Sequence, residues 1–93
     1  MINNFHHKGL RRLYENNDQS GLPSGLVERI ATILASLDQA SRIEDVNRPS
    51  FRLRSLKGEL WGFHAVNVCA NLRIIIFRFA ESGASDVDLL DNS

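Results

Sequence analysis

The chain has 93 residues, 43% of them apolar, and its eleven basic and eleven acidic residues give a net charge of zero; this size predicts one domain over residues 1–93. No apolar run approaches the roughly 18 residues that cross a bilayer, and residues 1–9 lack the apolar segment of a signal peptide. A single cysteine, Cys69, excludes an intrachain disulfide, so we expect a cytoplasmic protein.

Two helices are predicted in the first half of the chain. Residues 1–5 are a candidate first strand, although two asparagines disfavour that structure. A short helix is predicted over 8–16 because its apolar residues fall at i, i+3 and i+4: Leu10, Leu13 and Tyr14. Pro23 suits the first turn of a second helix. That helix runs to about Gln39, and its apolar residues repeat with a period of 3.6 over three turns.

The second half predicts a meander of strands over 51–56, 63–69, 72–79 and 84–90. Ala70–Asn71 is short enough for a tight hairpin turn. The strand at 72–79 is nearly continuously apolar, as expected of a central strand covered on both faces. Two helices followed by strands predict an α+β fold, with the helices packed on one face of a twisted antiparallel sheet. The other face, or its rim, is left for four cations: Arg52, Arg54, Lys57 and Arg73.

Basic residues are concentrated in one part of the chain. Residues 46–79 hold six bases and one acid, whereas 80–93 hold no base and four acids. A neutral chain can therefore present a cationic face to an anionic partner. The alternative is that the arginines are simply the solvated face of a sheet.

Several segments, in order and with near-constant spacing, resemble the HigB-type toxins of the RelE/ParE superfamily of bacterial toxin–antitoxin systems. They are FHHKGLRRLY (5–14), LASLDQA (34–40), LKGELWGFHAV (56–66) and ANLRI (70–74). The resemblance covers essentially the whole chain. It implies a small α+β fold and a ribosome-dependent endoribonuclease that enters the ribosomal A site and cuts mRNA. It also implies a cognate HigA-like antitoxin, and contact with operator DNA only through the antitoxin complex.

The implied reaction needs cations near the scissile phosphate, a base and an acid. By the family match, Lys57 and Arg73 are candidates for the cations. Arg54 stands where the family commonly has a histidine, and the ending Asp91-Asn92-Ser93 keeps the family's aspartate but not its Tyr-His. We therefore predict Lys57, Arg73, Arg54 and Asp91 as catalytic residues, with Asp91 as candidate base, and expect attenuated cleavage. The strand that begins near Arg73 carries one extra residue relative to the family, which suggests a bulge.

Other residues are candidates for RNA or ribosome binding, since phosphate contacts need only accessible cations: Lys8, Arg11, Arg12 and Arg52. Trp61 either stacks on a base or packs against a helix. His6 and His7 are adjacent and do not share a helix face, so neither a metal site nor a cofactor is predicted.

Two alternative functions remain open at this point. The first is a degenerate family member that binds antitoxin or ribosome without cutting RNA, which the loss of the terminal Tyr-His favours. The second is a gyrase-directed toxin of the ParE type. Either the first or the second helix is a candidate surface for the antitoxin.

Overall fold

The computed structural model describes residues 1–69 and 72–91. Within these residues the helices are α1 (Lys8–Asn16) and α2 (Val27–Gln39). The strands are β1 (Arg54–Ser55), β2 (His64–Cys69), β3 (Arg73–Ala80) and β4 (Gly83–Asp91). They form one antiparallel sheet in the order β1-β2-β3-β4. The predicted α+β architecture is confirmed; the predicted turn at Ala70–Asn71 lies outside the described residues.

Both helices follow the predicted apolar periodicity. α1 begins after His7, whose Nδ1 accepts a hydrogen bond from the Leu10 backbone N–H at 3.3 Å, and ends at Asn17 in the left-handed conformation. Pro23 precedes a 3₁₀ turn, Ser24–Leu26, that leads directly into α2. No helix of the described residues is both long enough and apolar enough to cross a membrane.

The sheet is covered on both faces, which accounts for the apolar run of β3. The main core lies between the helices and the sheet and includes Ile75 and Phe77 of β3. Ile74 and Ile76 point to the other face, where a second cluster is covered by partly buried side chains of the β1–β2 connection: Leu56, Leu60 and Phe63. The face opposite the helices is therefore partly apolar rather than left free for cations.

The predicted strand over 51–56 is shorter than expected. Phe51 is buried at the end of a 3₁₀ turn, Pro49–Phe51, and Arg52 has a positive φ of 51°, so only Arg54–Ser55 pairs with β2. The guanidinium groups of Arg29 and Arg48 both lie over the Phe51 ring, at 5.0 and 5.4 Å from its centroid. This tertiary packing overrides the alternating pattern.

The N-terminal segment runs parallel to β4 through two isolated bridges, Ile2↔Ala84 and Phe5↔Val87. The Ala84 N–H donates to the Met1 carbonyl at 2.9 Å, and the His6 N–H donates to the Val87 carbonyl at 2.8 Å. The candidate strand at 1–5 is thus extended and paired but does not form a continuous ladder. The pairing carries the chain along β4 towards its C-terminal end.

The predicted bulge in β3 is wrong in its location. Register shifts occur on both sides of β3, at Asn67/Cys69 of β2 and opposite Ile76/Arg78. In each case the extra residue lies on the neighbouring strand. Asp86 of β4 marks the second shift with a positive φ of 52°, so the irregularity re-aims side chains of β4 rather than of β3.

Candidate functional site

Arg73 and Asp91 face each other across two adjacent strands. Arg73 begins β3 and is the direct antiparallel partner of Asp91, which ends β4. Directly opposed side chains on one face of a sheet have Cβ atoms about 4.5–5.5 Å apart. Together with His7 and Leu89 they line a recess of about 180 Å³, which we call the Arg73 recess. It combines a guanidinium fork that matches phosphate geometry with a carboxylate that can accept a proton.

The Arg73 recess lies on the side of the sheet that carries the helices. Ile75 and Leu89 pack against the main core, whereas Ile74 packs in the opposite cluster. Alternation along the strands therefore places Arg73 and Asp91 on the helix side. Of the two predicted places for Arg73, the opposite face is wrong, whereas the rim agrees with the position of Arg73 at the start of β3. Apolar residues occupy both faces of β3, so the sequence does not indicate which face meets the helices.

Arg54 is held in a different place. It donates from Nη1 to the Asn67 side-chain oxygen at 2.9 Å and to the Arg52 carbonyl at 3.0 Å, and Asn67 is only 7% exposed. Its partner in β2 is Ala65 of the opposite cluster. Arg54 is not one of the described residues that line the Arg73 recess.

The groove beside Arg54 is larger, about 400 Å³, and Glu44, Ser55 and His64 are among its lining residues. Burial lowers the pKa of His64, and its Nδ1 lies 3.5 Å from the Ser55 hydroxyl. This groove therefore holds a fixed cation beside a ring that is readily neutral. A guanidinium group stabilises negative charge but is a poor proton shuttle.

Lys57 and Trp61 flank an exposed 3₁₀ turn, Gly58–Leu60. Trp61 is 76% exposed, so it does not pack against a helix and its indole can stack on another ring. Lys57 forms no ion pair or side-chain hydrogen bond with the described residues. Of the four predicted catalytic residues, the structure brings Arg73 and Asp91 together and leaves Arg54 and Lys57 outside their recess.

The remaining predicted binding residues are all exposed: Lys8, Arg11, Arg12 and Arg52. The first three lie on α1, and Lys8 directly follows His7 of the Arg73 recess. The start of α1 therefore places Lys8 beside the recess. Arg52 precedes β1 and lies with Arg54 rather than with α1.

His7 is the recess residue that sequence reasoning missed. In the sequence, His7 stands out only as a neighbour of His6. The candidate strand at 1–5 is the feature of the sequence that could have indicated His7. If residues 1–5 pair with a strand of the sheet, His7 comes to lie near the end of that strand. The partner strand, however, is more than 80 residues away in sequence, and its identity was not predictable from local pattern.

His6 belongs to a separate polar cluster around Asp86. The Asp86 carboxylate accepts hydrogen bonds from the Asn4 amide at 2.9 Å and from His6 Nε2 at 3.0 Å, and lies 3.5 Å from Arg78 Nε. The hydrogen bond from Asn4 lowers the pKa of Asp86, and the charges of His6 and Arg78 act in the same direction. This cluster fastens the N-terminal segment to β4. Across residues 1–69 and 72–91, no group of three or more His, Cys, Asp or Glu side chains is arranged to hold a metal ion.

Comparison with known proteins gives two matches. A family model described as the RelE-like toxin of type II toxin–antitoxin system HigB matches residues 3–92. The Endoribonuclease HigB of Proteus vulgaris is 40% identical over 84 residues, which cover 90% of this chain and 90% of that protein. The family match spans both helices, all four strands and the Arg73 recess.

Proposed function

The chain belongs to the HigB-like family of RelE-like toxins of type II toxin–antitoxin systems, and we propose that it is an endoribonuclease that cleaves mRNA on the ribosome. Membership of this family implies an antitoxin partner. The further elements of the proposal are the ribosomal A site and mRNA as targets, one toxin domain over residues 1–93, and action in the cytoplasm.

The observation that carries the proposal is the pairing of Arg73 with Asp91 in one recess. In the reaction a ribose 2′-oxygen attacks the adjacent phosphorus, and negative charge grows on the phosphoryl oxygens. Arg73 stabilises that charge through two parallel N–H donors. Asp91 accepts the 2′-hydroxyl proton as general base. A cation and a carboxylate on directly opposed strand positions supply both needs at one phosphate.

The other predicted residues act in this proposal on the RNA strand rather than on the reacting phosphate. Lys57 and Trp61 offer a cation and an exposed aromatic ring on one turn, a combination that binds a phosphate and stacks a base. Arg54 is fixed by Asn67 and faces the wide groove, where it contacts backbone phosphates. Lys8, Arg11 and Arg12 on α1 contribute cations for ribosomal RNA.

Asn92 and Ser93 stand at the positions where the family commonly has Tyr and His. Family members that end in Asp-Tyr-His have further groups for proton transfer, and one positioned acid or base contributes roughly 10²–10⁴-fold. We therefore propose cleavage that is slower than in those members but still depends on the ribosome.

The test is cleavage of a defined mRNA, with one codon placed in the A site of purified ribosomes, by the purified chain. Cuts at that codon with ribosomes, and none without them, support the proposal. Growth arrest on expression without cuts would indicate a different target, as in a gyrase-directed toxin. Ribosome or antitoxin binding with neither cuts nor arrest would indicate a degenerate member that binds without cleaving.

A further inference from the structure

We propose that His7 contacts the scissile phosphate through a hydrogen bond donated by its Nε2–H. This inference rests on the proposed function, because it assigns a third group to the same recess. It gives His7 the role of an electrostatic stabiliser and not of a proton shuttle.

The position of His7 follows from the pairing of the N-terminal segment. Phe5 bridges Val87 in parallel, and the His6 N–H donates to the Val87 carbonyl at 2.8 Å. Continuing that parallel register by two residues places His7 beside Leu89, two residues before Asp91. The lining of the Arg73 recess agrees, since it contains His7, Leu89 and Asp91. Three elements distant in sequence thus converge on one point: the start of α1, the start of β3 and the end of β4.

The contact at the other ring nitrogen determines which form of His7 is present. Nδ1 accepts the hydrogen bond from the Leu10 N–H at 3.3 Å, so it carries a lone pair and the ring proton is on Nε2. His7 has no further side-chain hydrogen bond to the described residues, so Nε2–H is the donor that remains for a ligand. A helix-capping histidine whose Nδ1 is used as an acceptor presents its Nε2–H to an oxygen in the recess.

In the reaction, each group then has a separate task. As the bond from the 2′-oxygen to phosphorus forms, Asp91 takes the 2′-hydroxyl proton. Arg73 and His7 Nε2–H hold the non-bridging oxygens, whose charge grows. The bond from phosphorus to the 5′-oxygen breaks, the 5′-oxygen takes a proton from water, and the hydroxide that remains takes the proton held by Asp91, which restores both the water and the carboxylate. The products are a 2′,3′-cyclic phosphate and a 5′-hydroxyl.

The capping role of His7 must be kept in the test. Asparagine is a good helix N-cap, so His7→Asn keeps an acceptor for the Leu10 N–H but removes the imidazole Nε2–H from the recess. His6→Asn is the matched control, since it makes the same change one residue away at a side chain that contacts Asp86 instead.

Two measurements decide the proposal. Single-turnover cleavage on the ribosome should fall about 10²-fold in His7→Asn, as for loss of one transition-state donor, while its melting temperature stays near that of wild type. The rate in His6→Asn should change less than about threefold. In ¹H–¹⁵N spectra of the imidazole rings of the wild-type chain, His7 should show the Nε2–H form. Its resonances should move on titration with a 2′-O-methyl trinucleotide, which cannot be cleaved, while those of His6 stay in place.

The inference is overturned if His7→Asn cleaves as fast as wild type, or if the trinucleotide leaves the His7 resonances unmoved. If the wild-type chain does not cleave at all, the proposed nuclease function fails. The titration still decides separately whether His7 binds the phosphate backbone of RNA.

Discussion

Arg29 joins α2 to two other segments of the chain, and its removal should measurably weaken the fold. Nη2 of Arg29 donates to the Ser50 carbonyl at 2.7 Å and to the Asn67 carbonyl at 3.1 Å. Its guanidinium also lies 5.0 Å from the centroid of the Phe51 ring. The change Arg29→Met keeps the aliphatic stem over the ring and removes both hydrogen bonds and the charge.

The magnitude follows from these contacts. Net contributions of hydrogen bonds to charged groups are about 1.5–3 kcal/mol each. Because the side chain is only partly buried, water replaces part of that contribution, and we take about 1 kcal/mol for each bond. The cation–π contact adds about 0.5–1 kcal/mol. The expected loss in the free energy of unfolding is therefore about 2.5–3 kcal/mol.

Urea denaturation monitored by circular dichroism measures this loss, and Arg48→Met is the matched control. Arg48 lies over the same ring at 5.4 Å, but its side chain donates no hydrogen bond to the described residues. Its replacement should cost only about 0.5–1 kcal/mol. Equal losses in the two variants would refute the reasoning, because the hydrogen bonds of Arg29 would then contribute nothing.

Three further predictions follow from single contacts. The pKa of Asp86 is lowered in the folded state. The stability that Asp86 contributes is therefore complete above its unfolded pKa of about 3.9, and it is lost as the pH falls through its folded pKa. Between about pH 5 and pH 3, the melting temperature of Asp86→Asn should therefore fall less than that of wild type. Equal falls in melting temperature for the two chains would contradict this. Gly83→Ala would drive a Cβ into the Met1 carbonyl at a φ of +112° and should cost about 2 kcal/mol or more. Gly25→Ala, which meets nothing within 4 Å, should change stability by less than about 0.5 kcal/mol in the same urea assay. Trp61→Ala should leave stability within about 0.5 kcal/mol of wild type but weaken ribosome binding in a sedimentation assay by the roughly 1–3 kcal/mol of one stacked base.

The elements with a strong repeating pattern were predictable from sequence. α1 spans 8–16 as its apolar spacing indicates, and α2 ends at the predicted Gln39. The long apolar run of β3 correctly predicted a central strand, because covering both faces requires apolar residues at consecutive positions. Phe51 was misread because its alternation with arginine mimics a strand, whereas its ring is fixed by guanidinium groups from other segments.

The candidate site was only partly predictable, because it depends on register rather than on local pattern. The family resemblance indicated Arg73 and Asp91, but their direct pairing depends on the register shift opposite Ile76/Arg78. A shift of one residue would turn Asp91 to the other face of the sheet. The contribution of His7 required the parallel pairing of the N-terminal segment with β4, a contact between opposite ends of the chain.

The most direct test of the proposed site is the single-turnover rate of ribosome-dependent mRNA cleavage by wild type, Arg73→Ala and Arg78→Ala. Arg78 lies on the same strand but contacts Asp86 and Phe63 outside the recess, so it is the matched arginine control. We predict that Arg73→Ala lowers the rate about 10²–10³-fold, the usual cost of removing one transition-state donor, and that Arg78→Ala stays within about fivefold of wild type. Cleavage by Arg73→Ala at nearly the wild-type rate would contradict a nuclease site built on Arg73 and Asp91.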